Sequence, residues 1–260
     1  MNQADVLKAY NQYERIELTL AGCQKFETPD LVKFVSNRDL GSCVAYSNIP
    51  HGVLTQRIKA EIEYFKPLKQ VFKWFTLSTD SPSNLGESLI EEGFLAEEVS
   101  SLMVLDLEQA DQSKIHCPAS ELCIEVTDKQ GIRDAMLVQK KVWGGDCIAQ
   151  ETSLIRLKEE SPNQIHIYVV YQDNKPVSSA WLMSHPDSPF GSIWAGSTLS
   201  KYRGKGFYSA LLAKRIEDAK AKGLKYLTIQ ASKMSRPIVA NFGFECIAQT
   251  RQYRYDPTHT

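Results

Sequence analysis

A short loop rich in glycine and positive charge is the part of this sequence best suited to chemistry. It spans residues 198–208 and reads Thr-Leu-Ser-Lys-Tyr-Arg-Gly-Lys-Gly-Phe-Tyr. Glycines between a strand and a helix let the backbone turn sharply and present several N–H groups together. The first turn of a helix leaves N–H donors unpaired and carries partial positive charge, so a diphosphate fits there. Lys201, Arg203 and Lys205 add three cations. The loop therefore predicts a diphosphate-binding site.

Two familiar nucleotide-binding loops fit this stretch poorly. A P-loop requires the pattern G-x-x-x-x-G-K-[ST], which the sequence lacks. A dinucleotide fingerprint, G-x-G-x-x-G, would need glycine at position 209, where Ser209 stands. No acidic residue follows at the spacing of about 20 residues that this fingerprint needs. A different diphosphate-binding arrangement is therefore indicated.

The elements around the loop predict how it is held. A strand is expected over residues 192–199, and a long amphipathic helix follows the loop and ends at Gly223. Upstream, a capping box at residues 127–130 opens one helix, a second runs over 149–159, and a hairpin pairs residues 165–171 with 177–183. Downstream come a strand at 225–230, a short helix and a closing strand to Tyr255. This order predicts an α/β fold, a mixed sheet with helices on both faces.

The first half of the chain repeats part of this order. A strand at residues 73–78, a short helix, a Gly-Phe pair and a strand at 101–105 match the later strand, helix, Gly-Phe and strand. At its equivalent of the loop, residues 47–53, the first half has neither a glycine pair nor a basic cluster. The polar stretch 108–117 separates the halves. We expect two similarly folded domains, residues 1–112 and 117–260, with one ligand loop.

Residues 203–208 resemble the signature [Q/R]-x-x-G-x-[G/A] of the GNAT N-acetyltransferases, matching at Arg203 and Gly206. The element order of 117–260 is also similar to that superfamily, and the whole resembles bacterial tandem GNAT proteins with a degenerate N-terminal copy. The resemblance implies two tandem GNAT-like folds, each with a central mixed sheet flanked by helices. It implies acetyl-CoA as cosubstrate and no metal. The implied cofactor-binding residues are Thr198, Leu199, Arg203, Gly204, Lys205, Gly206, Phe207, Tyr208 and Ser232.

The reaction implied by the resemblance is direct attack of a primary amine of an unidentified acceptor on the thioester. Three positions depart from the family pattern. Tyr208 replaces the usual Gly or Ala, Ser232 falls where many members have an Asn, and Val239 replaces the Tyr that protonates the leaving thiolate. In addition, residues 193–198 lack the Glu that members often carry before the loop. The expected catalytic candidates are Tyr208, Tyr253 and Asp146, with Glu151 and His166 as weaker ones. A non-catalytic CoA-binding sensor or interaction module is the alternative.

Composition sets the remaining expectations. The formal net charge is -1, so overall charge favours neither nucleic acid nor a membrane surface. Residues 1–5 lack the blocks of a secretory signal, and no apolar run approaches the roughly 18 residues of a membrane span. The six cysteines show no C-x-x-C pair. We expect a cytoplasmic protein, monomeric or homodimeric, whose partners are acetyl-CoA and an amine-bearing acceptor.

Overall fold

The structure, a computed structural model, describes residues 2–37, 41–145 and 147–258. Its helices are α1 Gln3–Asn11, α2 Leu54–Phe65, α3 Leu85–Glu91, α4 Gln112–Ile115, α5 Lys129–Trp143, α6 Ile148–Glu160, α7 Phe207–Ala221 and α8 Arg236–Asn241. Its strands are β1 Cys23–Thr28, β2 Leu31–Ser36, β3 Ser42–Ser47, β4 Phe72–Leu77, β5 Leu95–Ala96, β6 Ser100–Asp106, β7 Cys123–Val126, β8 Ile165–Gln172, β9 Lys175–Ser184, β10 Phe190–Thr198, β11 Tyr226–Ala231 and β12 Glu245–Tyr255.

The chain forms two compact units that are interleaved in sequence. The C-terminal unit comprises Met103–Ile229 and Met234–Glu245, and the N-terminal unit comprises Asn2–Leu102, Gln230–Lys233 and Cys246–Thr260. The second half of β6 thus belongs to the C-terminal unit, and nearly all of β12 belongs to the N-terminal unit. The domains expected from the sequence, residues 1–112 and 117–260, are defined by the point along the chain where one repeat ends and the next begins. These boundaries stay a prediction.

The C-terminal unit is built on a mixed sheet with strand order β6-β11-β10-β9-β8-β7. Strands β7 to β10 are antiparallel neighbours, whereas β10 and β11 run parallel. Ile165, Ile167 and Val169 of β8 pack with residues of α5 and α6. Between them in sequence, Tyr168 donates its hydroxyl to Asp218 of α7 at 2.6 Å. Because side chains alternate along a strand, α5 and α6 cover one face and α7 covers the other.

The N-terminal unit has the strand order β1-β2-β3-β4-β12, with β5 paired to β12. Its core is aromatic: Phe72 and Trp74 of β4 are fully buried and belong to the same cluster as Tyr253 and Tyr255 of β12. A buried ion pair supports it, because Arg15 and Asp80 approach to 2.7 Å and are each about 5% exposed. The pair is well satisfied, since Arg15 Nε also donates to a backbone carbonyl at 2.8 Å.

The predicted fold class is confirmed. The order of elements in the two halves corresponds: β3, α2, β4, α3 and β6 in the first half match β10, α7, β11, α8 and β12 in the second. The segment expected to replace the ligand loop, residues 47–53, does join a strand to a helix, β3 to α2. Its glycine, Gly52, lies outside the left-handed region.

Several strands had no counterpart in the sequence prediction. The strand β7 is four residues long, and its two central residues, Ile124 and Glu125, are exposed. Such a short edge strand has no alternating pattern to detect. The strands β1, β2 and β3 were also missed. Of these, β2 and β3 are buried almost throughout, so they too lack alternation.

Candidate functional site

The glycine loop joins β10 to α7 and has the backbone geometry expected of an anion cradle. Gly204 and Gly206 have φ angles of 73° and 81°, in the left-handed region that favours glycine. A Cβ at either position would meet nothing within 4 Å, so backbone conformation alone excludes a side chain. Gly206 precedes α7, and no side chain caps the helix there. The amide groups of the first turn are therefore left to an outside acceptor.

Three hydrogen bonds fix this loop at its ends. Arg203 Nε donates to the Thr198 carbonyl at 3.2 Å. The Leu199 amide donates to Val177 at 2.9 Å, and the Ala210 amide donates to the Gly206 carbonyl at 2.9 Å. These contacts hold the loop in a hairpin-like turn directly ahead of α7.

The predicted cations lie on the outer surface of the turn. Lys201, Arg203 and Lys205 are all exposed. Lys205 Nζ lies 5.2 Å from the centre of the Tyr202 ring, a cation–π contact that restrains its side chain. An uncapped helix start with three cations around it suits a doubly or triply charged phosphate group.

Next to the loop, strands β10 and β11 separate. Among the residues that the structure describes, their parallel pairing covers Phe190 with Tyr226 through Ser192 with Thr228. Beyond Ser192, β10 continues to Thr198 along β9 without a described partner in β11. The carbonyls of residues 194, 195, 197 and 198 accept hydrogen bonds from side chains, so this edge offers chiefly backbone amides to an extended ligand.

A bulge interrupts β10 at this edge. The register with β9 shifts between Trp194 and Ser197, and Ala195 adopts a φ of 53°. Two side chains from opposite faces hold the carbonyls of the bulge. Gln139 Nε2 donates to the Ala195 carbonyl at 2.7 Å, and Arg215 Nη1 donates to that of Trp194 at 3.4 Å. A bulge leaves its extra residue outside the regular ladder, so this stretch of β10 departs from regular pairing with β9.

A buried polar network supports the bulge from the α5 side. Gln139 Nε2 also donates to Ser179 Oγ at 2.8 Å, and Ser197 Oγ donates to Gln139 Oε1 at 3.0 Å. Trp143 Nε1 donates to Ser197 Oγ at 2.9 Å, although the Trp143 side chain is 75% exposed. The network joins the end of α5 to the bulge, and places an exposed indole beside it.

Tyr208 lies on the other side of the bulge. Its Cε2 atom is 2.7 Å from the position that a Cβ would take on Gly196, so the ring packs on the bare glycine. Its phenol is hydrogen-bonded by Ser235, the residue before α8. Burial raises the pKa of Tyr208, while the charge of Arg215 and the Ser235 hydrogen bond oppose that rise. The hydroxyl therefore keeps its proton at neutral pH and is placed where β10, α7 and α8 meet.

The catalytic roles expected of Asp146 and Tyr253 stay predictions. Asp146 lies outside the described residues. Tyr253 belongs to the N-terminal unit, where it is 5% exposed and lines a pocket of about 310 Å³ beside Asp80 and Arg251. Val239, where the resemblance implies a tyrosine, is fully buried. Tyr208 is thus the predicted catalytic residue that the structure places beside the bulge.

The remaining predicted positions fall as follows. Thr198, 9% exposed, ends β10, and Phe207, 7% exposed, begins α7 with its side chain in the core. Ser232 is exposed after β11, in the segment grouped with the N-terminal unit, so its predicted contact with the ligand stays a prediction.

The two weaker candidates for a base have structural partners. His166 Nδ1 lies 2.7 Å from Glu125 Oε1, and Glu151 pairs with Arg133 at 3.3 Å. Within the described residues, no group of three or more His, Cys, Asp or Glu side chains could hold a metal ion. A search of the same residues also finds no helix long and apolar enough to cross a membrane.

Gln139, Gly196, Ser197, Arg215 and Ser235 were not predicted as site residues. Gly196 alone carried a usable signal, because a glycine inside a strand often marks a bulge or a close approach. The other four are ordinary residue types for their elements: Gln139 and Arg215 are polar residues in helices, Ser197 is in a strand, and Ser235 precedes a helix. Only the fold brings these residue types together.

Comparison with known proteins agrees with this geometry. Residues 136–244 match the model of the acetyltransferase (GNAT) family. A GCN5-related N-acetyltransferase from Kribbella flavida aligns with 14% identity over 95% of this chain and 94% of its own, at a TM-score of 0.69. One from Sphaerobacter thermophilus aligns with 14% identity over 98% and 85%, at a TM-score of 0.63.

A tandem GNAT protein from the clavulanic acid biosynthesis pathway aligns with 10% identity over 93% of this chain and 86% of its own, at a TM-score of 0.60. At these identities the structural likeness establishes the fold. No curated protein matches the sequence.

Proposed function

We propose that this chain is an acyltransferase of the GNAT family, whose model matches residues 136–244, and that it transfers the acetyl group of acetyl-CoA to a primary amine. The match to the family model supports the reaction class. The observation that carries the finer proposal is the open glycine cradle at the start of α7, flanked by a separated strand edge.

The residues of the loop fit the diphosphate of CoA. Gly204 and Gly206 hold the left-handed conformation that turns successive amides to one side, and both face open space. The uncapped start of α7 adds its dipole, which favours an anion there by about 0.3–1 kcal/mol. Lys201, Arg203 and Lys205 supply positive charge around the rim. These features together support phosphate binding by backbone amides, with side chains adding longer-range attraction.

The separated edge of β10 supports binding of the pantetheine arm. A chain of alternating amides can add to this edge as an extra strand. At its inner end, the bulge amides of Ala195 and Gly196 are suited to donate to a carbonyl oxygen as negative charge develops on it. Gln139 and Arg215 hold the neighbouring carbonyls away from that position.

Tyr208 is proposed as the group that protonates the departing sulfur. Its hydroxyl carries its proton at neutral pH and its ring is held against Gly196, directly beside the bulge. Within residues 193–198 there is no carboxylate to serve as a base. We therefore assign removal of the amine proton to water.

The alternative function is a CoA-binding sensor or interaction module without transfer activity. The buried Val239 favours it, because the position that carries the usual acid in relatives is occupied by a core side chain. Both functions use the glycine loop to bind CoA, and only the enzyme transfers the acetyl group. Binding and turnover must therefore be measured separately.

Mixing the full chain with acetyl-CoA and a panel of primary amines, and following free thiol, tests turnover. CoA at about 100 times its Kd should stabilise the chain by about 2.7 kcal/mol, which is a rise in Tm on the order of 5 °C. A Tm rise with amine-dependent thiol release supports the enzyme. A Tm rise without thiol release on any amine supports the sensor. No Tm rise contradicts both.

A pair of glycine variants tests whether the loop is the binding site. Gly206→Val should abolish the CoA-dependent rise in Tm. Gly223→Val is the matched control, since Gly223 follows the other end of α7 with a φ of 74° and equally open surroundings. Both variants strain the backbone to a similar extent, so only the first should lose CoA. Equal loss in both variants would place the site elsewhere.

A further inference from the structure

Arg215 is a buried cation without an acidic partner among the residues that the structure describes. Its side chain is 1% exposed and it is among the largest fully buried side chains of the chain. Within the part of the chain that the structure describes, no carboxylate forms an ion pair with Arg215, and its Nη2 atom is buried without a hydrogen-bond partner. Burying a charge without an oppositely charged partner lowers the stability of the fold. A buried Arg of this kind is therefore a candidate for a functional role.

The guanidinium is aimed at the bulge, and Tyr208 packs on Gly196 of the same bulge. Its Nε donates to the Leu211 carbonyl at 2.9 Å, one turn back along α7, and its Nη1 donates to Trp194 at 3.4 Å. The side chain therefore points toward the start of α7, where Tyr208 packs on Gly196. The charge of Arg215 acts on the Tyr208 phenol in the direction that stabilises its ionised form.

The other titratable groups facing Arg215 do not neutralise it. From β7, Cys123 carries a buried thiol whose pKa is raised to about 12. From β8, Tyr168 donates its hydroxyl to Asp218 at 2.6 Å, and burial raises its pKa. Asp218 in turn pairs with Lys214 at 2.8 Å. Tyr208 is thus the facing group whose proton the proposed reaction uses.

We propose that Arg215 is a positioning residue for acyl transfer, which holds the bulge through the Trp194 carbonyl and stabilises the Tyr208 oxygen as its proton leaves. This inference rests on the proposed function. The bond between carbon and sulfur breaks, its electron pair stays on sulfur, and sulfur takes the hydroxyl proton of Tyr208. The bond between carbon and the amine nitrogen forms, and the amine proton passes to water. Tyr208 is left ionised beside Arg215 until it regains a proton from solvent.

A double-mutant cycle tests whether Arg215 acts through Tyr208. Arg215→Gln should lower kcat on the order of tenfold with Tyr208 present. In the Tyr208→Phe background, where only the hold on the bulge is lost, it should lower kcat by about twofold to threefold. The Kd for CoA should stay within about threefold in Arg215→Gln, because Arg215 is 1% exposed and its side chain does not contribute to the exposed surface of the glycine loop. Equal losses of kcat in both backgrounds would overturn the inference and leave Arg215 a purely structural residue.

A second measurement does not depend on turnover. Tyr208 in the full chain is replaced by 3-fluorotyrosine, and its ionisation is followed by fluorine NMR. Arg215→Gln should raise the ionisation midpoint by about one pH unit, and Arg215→Lys should restore much of it. Lys222→Gln, which removes an exposed cation just after α7, should leave it unchanged. An unchanged midpoint in Arg215→Gln overturns the inference, whereas an inactive wild-type chain overturns only the proposed function.

Discussion

The ring of Tyr208 occupies the space into which a side chain at position 196 would project, with its Cε2 atom 2.7 Å from the ideal Cβ of Gly196. The glycine is therefore the complement of the tyrosine. The family pattern places a small residue at the last position of the loop signature. In this chain that position holds the large side chain of Tyr208, and the facing residue of β10, Gly196, has no side chain.

Gly196→Ala should displace the Tyr208 ring and impair transfer more than binding. The added methyl group must push the ring or bend β10, which costs about 1–3 kcal/mol of stability. We expect kcat to fall at least about tenfold, with the Kd for CoA changed less than about threefold. Steady-state kinetics and calorimetric titration measure the two effects.

Gly52→Ala is the matched control for that substitution, because a Cβ there meets nothing within 4 Å and Gly52 lies outside the left-handed region. It should leave stability and kcat unchanged. If Gly196→Ala were as active as Gly52→Ala, Tyr208 would not be held by this contact.

Removing the loop cations should weaken CoA binding in a salt-dependent way. Each of Lys201→Gln, Arg203→Gln and Lys205→Gln should raise the Kd by about threefold to tenfold at low salt. The difference from wild type should shrink as salt is added, because these charges are exposed and screened. Titrations at two salt concentrations measure both effects.

Lys222→Gln serves as the control for bulk charge, since Lys222 is equally exposed and lies beyond the far end of α7. A Kd for Lys222→Gln that rises as much as in the loop variants would contradict a local role of the cations.

Buried thiols should make the protein less stable at alkaline pH. Burial raises the pKa of Cys43 from 9.0 to about 12. The folded-state pKa lies above the unfolded one, so stability is full below pH 9 and falls as the unfolded thiol ionises above it. Each such thiol should cost about 1.4 kcal/mol of unfolding free energy per pH unit in that range.

Urea unfolding under reducing conditions at pH 8, 9 and 10 would measure this slope. Cys43→Ala should flatten this slope. Cys117 is half-buried, so Cys117→Ala serves as a control that keeps the buried thiols of Cys43 and Cys123. Groups shared by the variants cancel in the difference. A slope in Cys43→Ala as steep as in Cys117→Ala would show that the Cys43 thiol does not contribute.

The glycine loop could be predicted because its chemistry is local. Left-handed backbone at Gly204 and Gly206 is signalled by the residues themselves, and the strand before and helix after follow from periodicity. The bulge could not be predicted in the same way. It depends on Gln139 from α5 and Arg215 from α7, which are 76 positions apart in the sequence and meet only across the sheet.

The location of Tyr253 shows the same limit, while its role as an acid stays a prediction. As an aromatic residue in a closing strand it was a reasonable candidate for an acid. The pairing of β12 with β4 places it in the N-terminal unit, opposite Trp74. Strand pairing over such a sequence separation is set by tertiary packing, which composition and spacing do not encode.

The interleaving of the two units has a practical consequence for dissecting this protein. Cutting the chain within residues 108–117 would leave β12 on one fragment and its pairing partners β4 and β5 on the other. Each half expressed alone would expose an unpaired sheet edge, a known route to aggregation. Separate study of the halves therefore calls for co-expression of both fragments, or for a circular permutation that returns residues 246–258 to the first half.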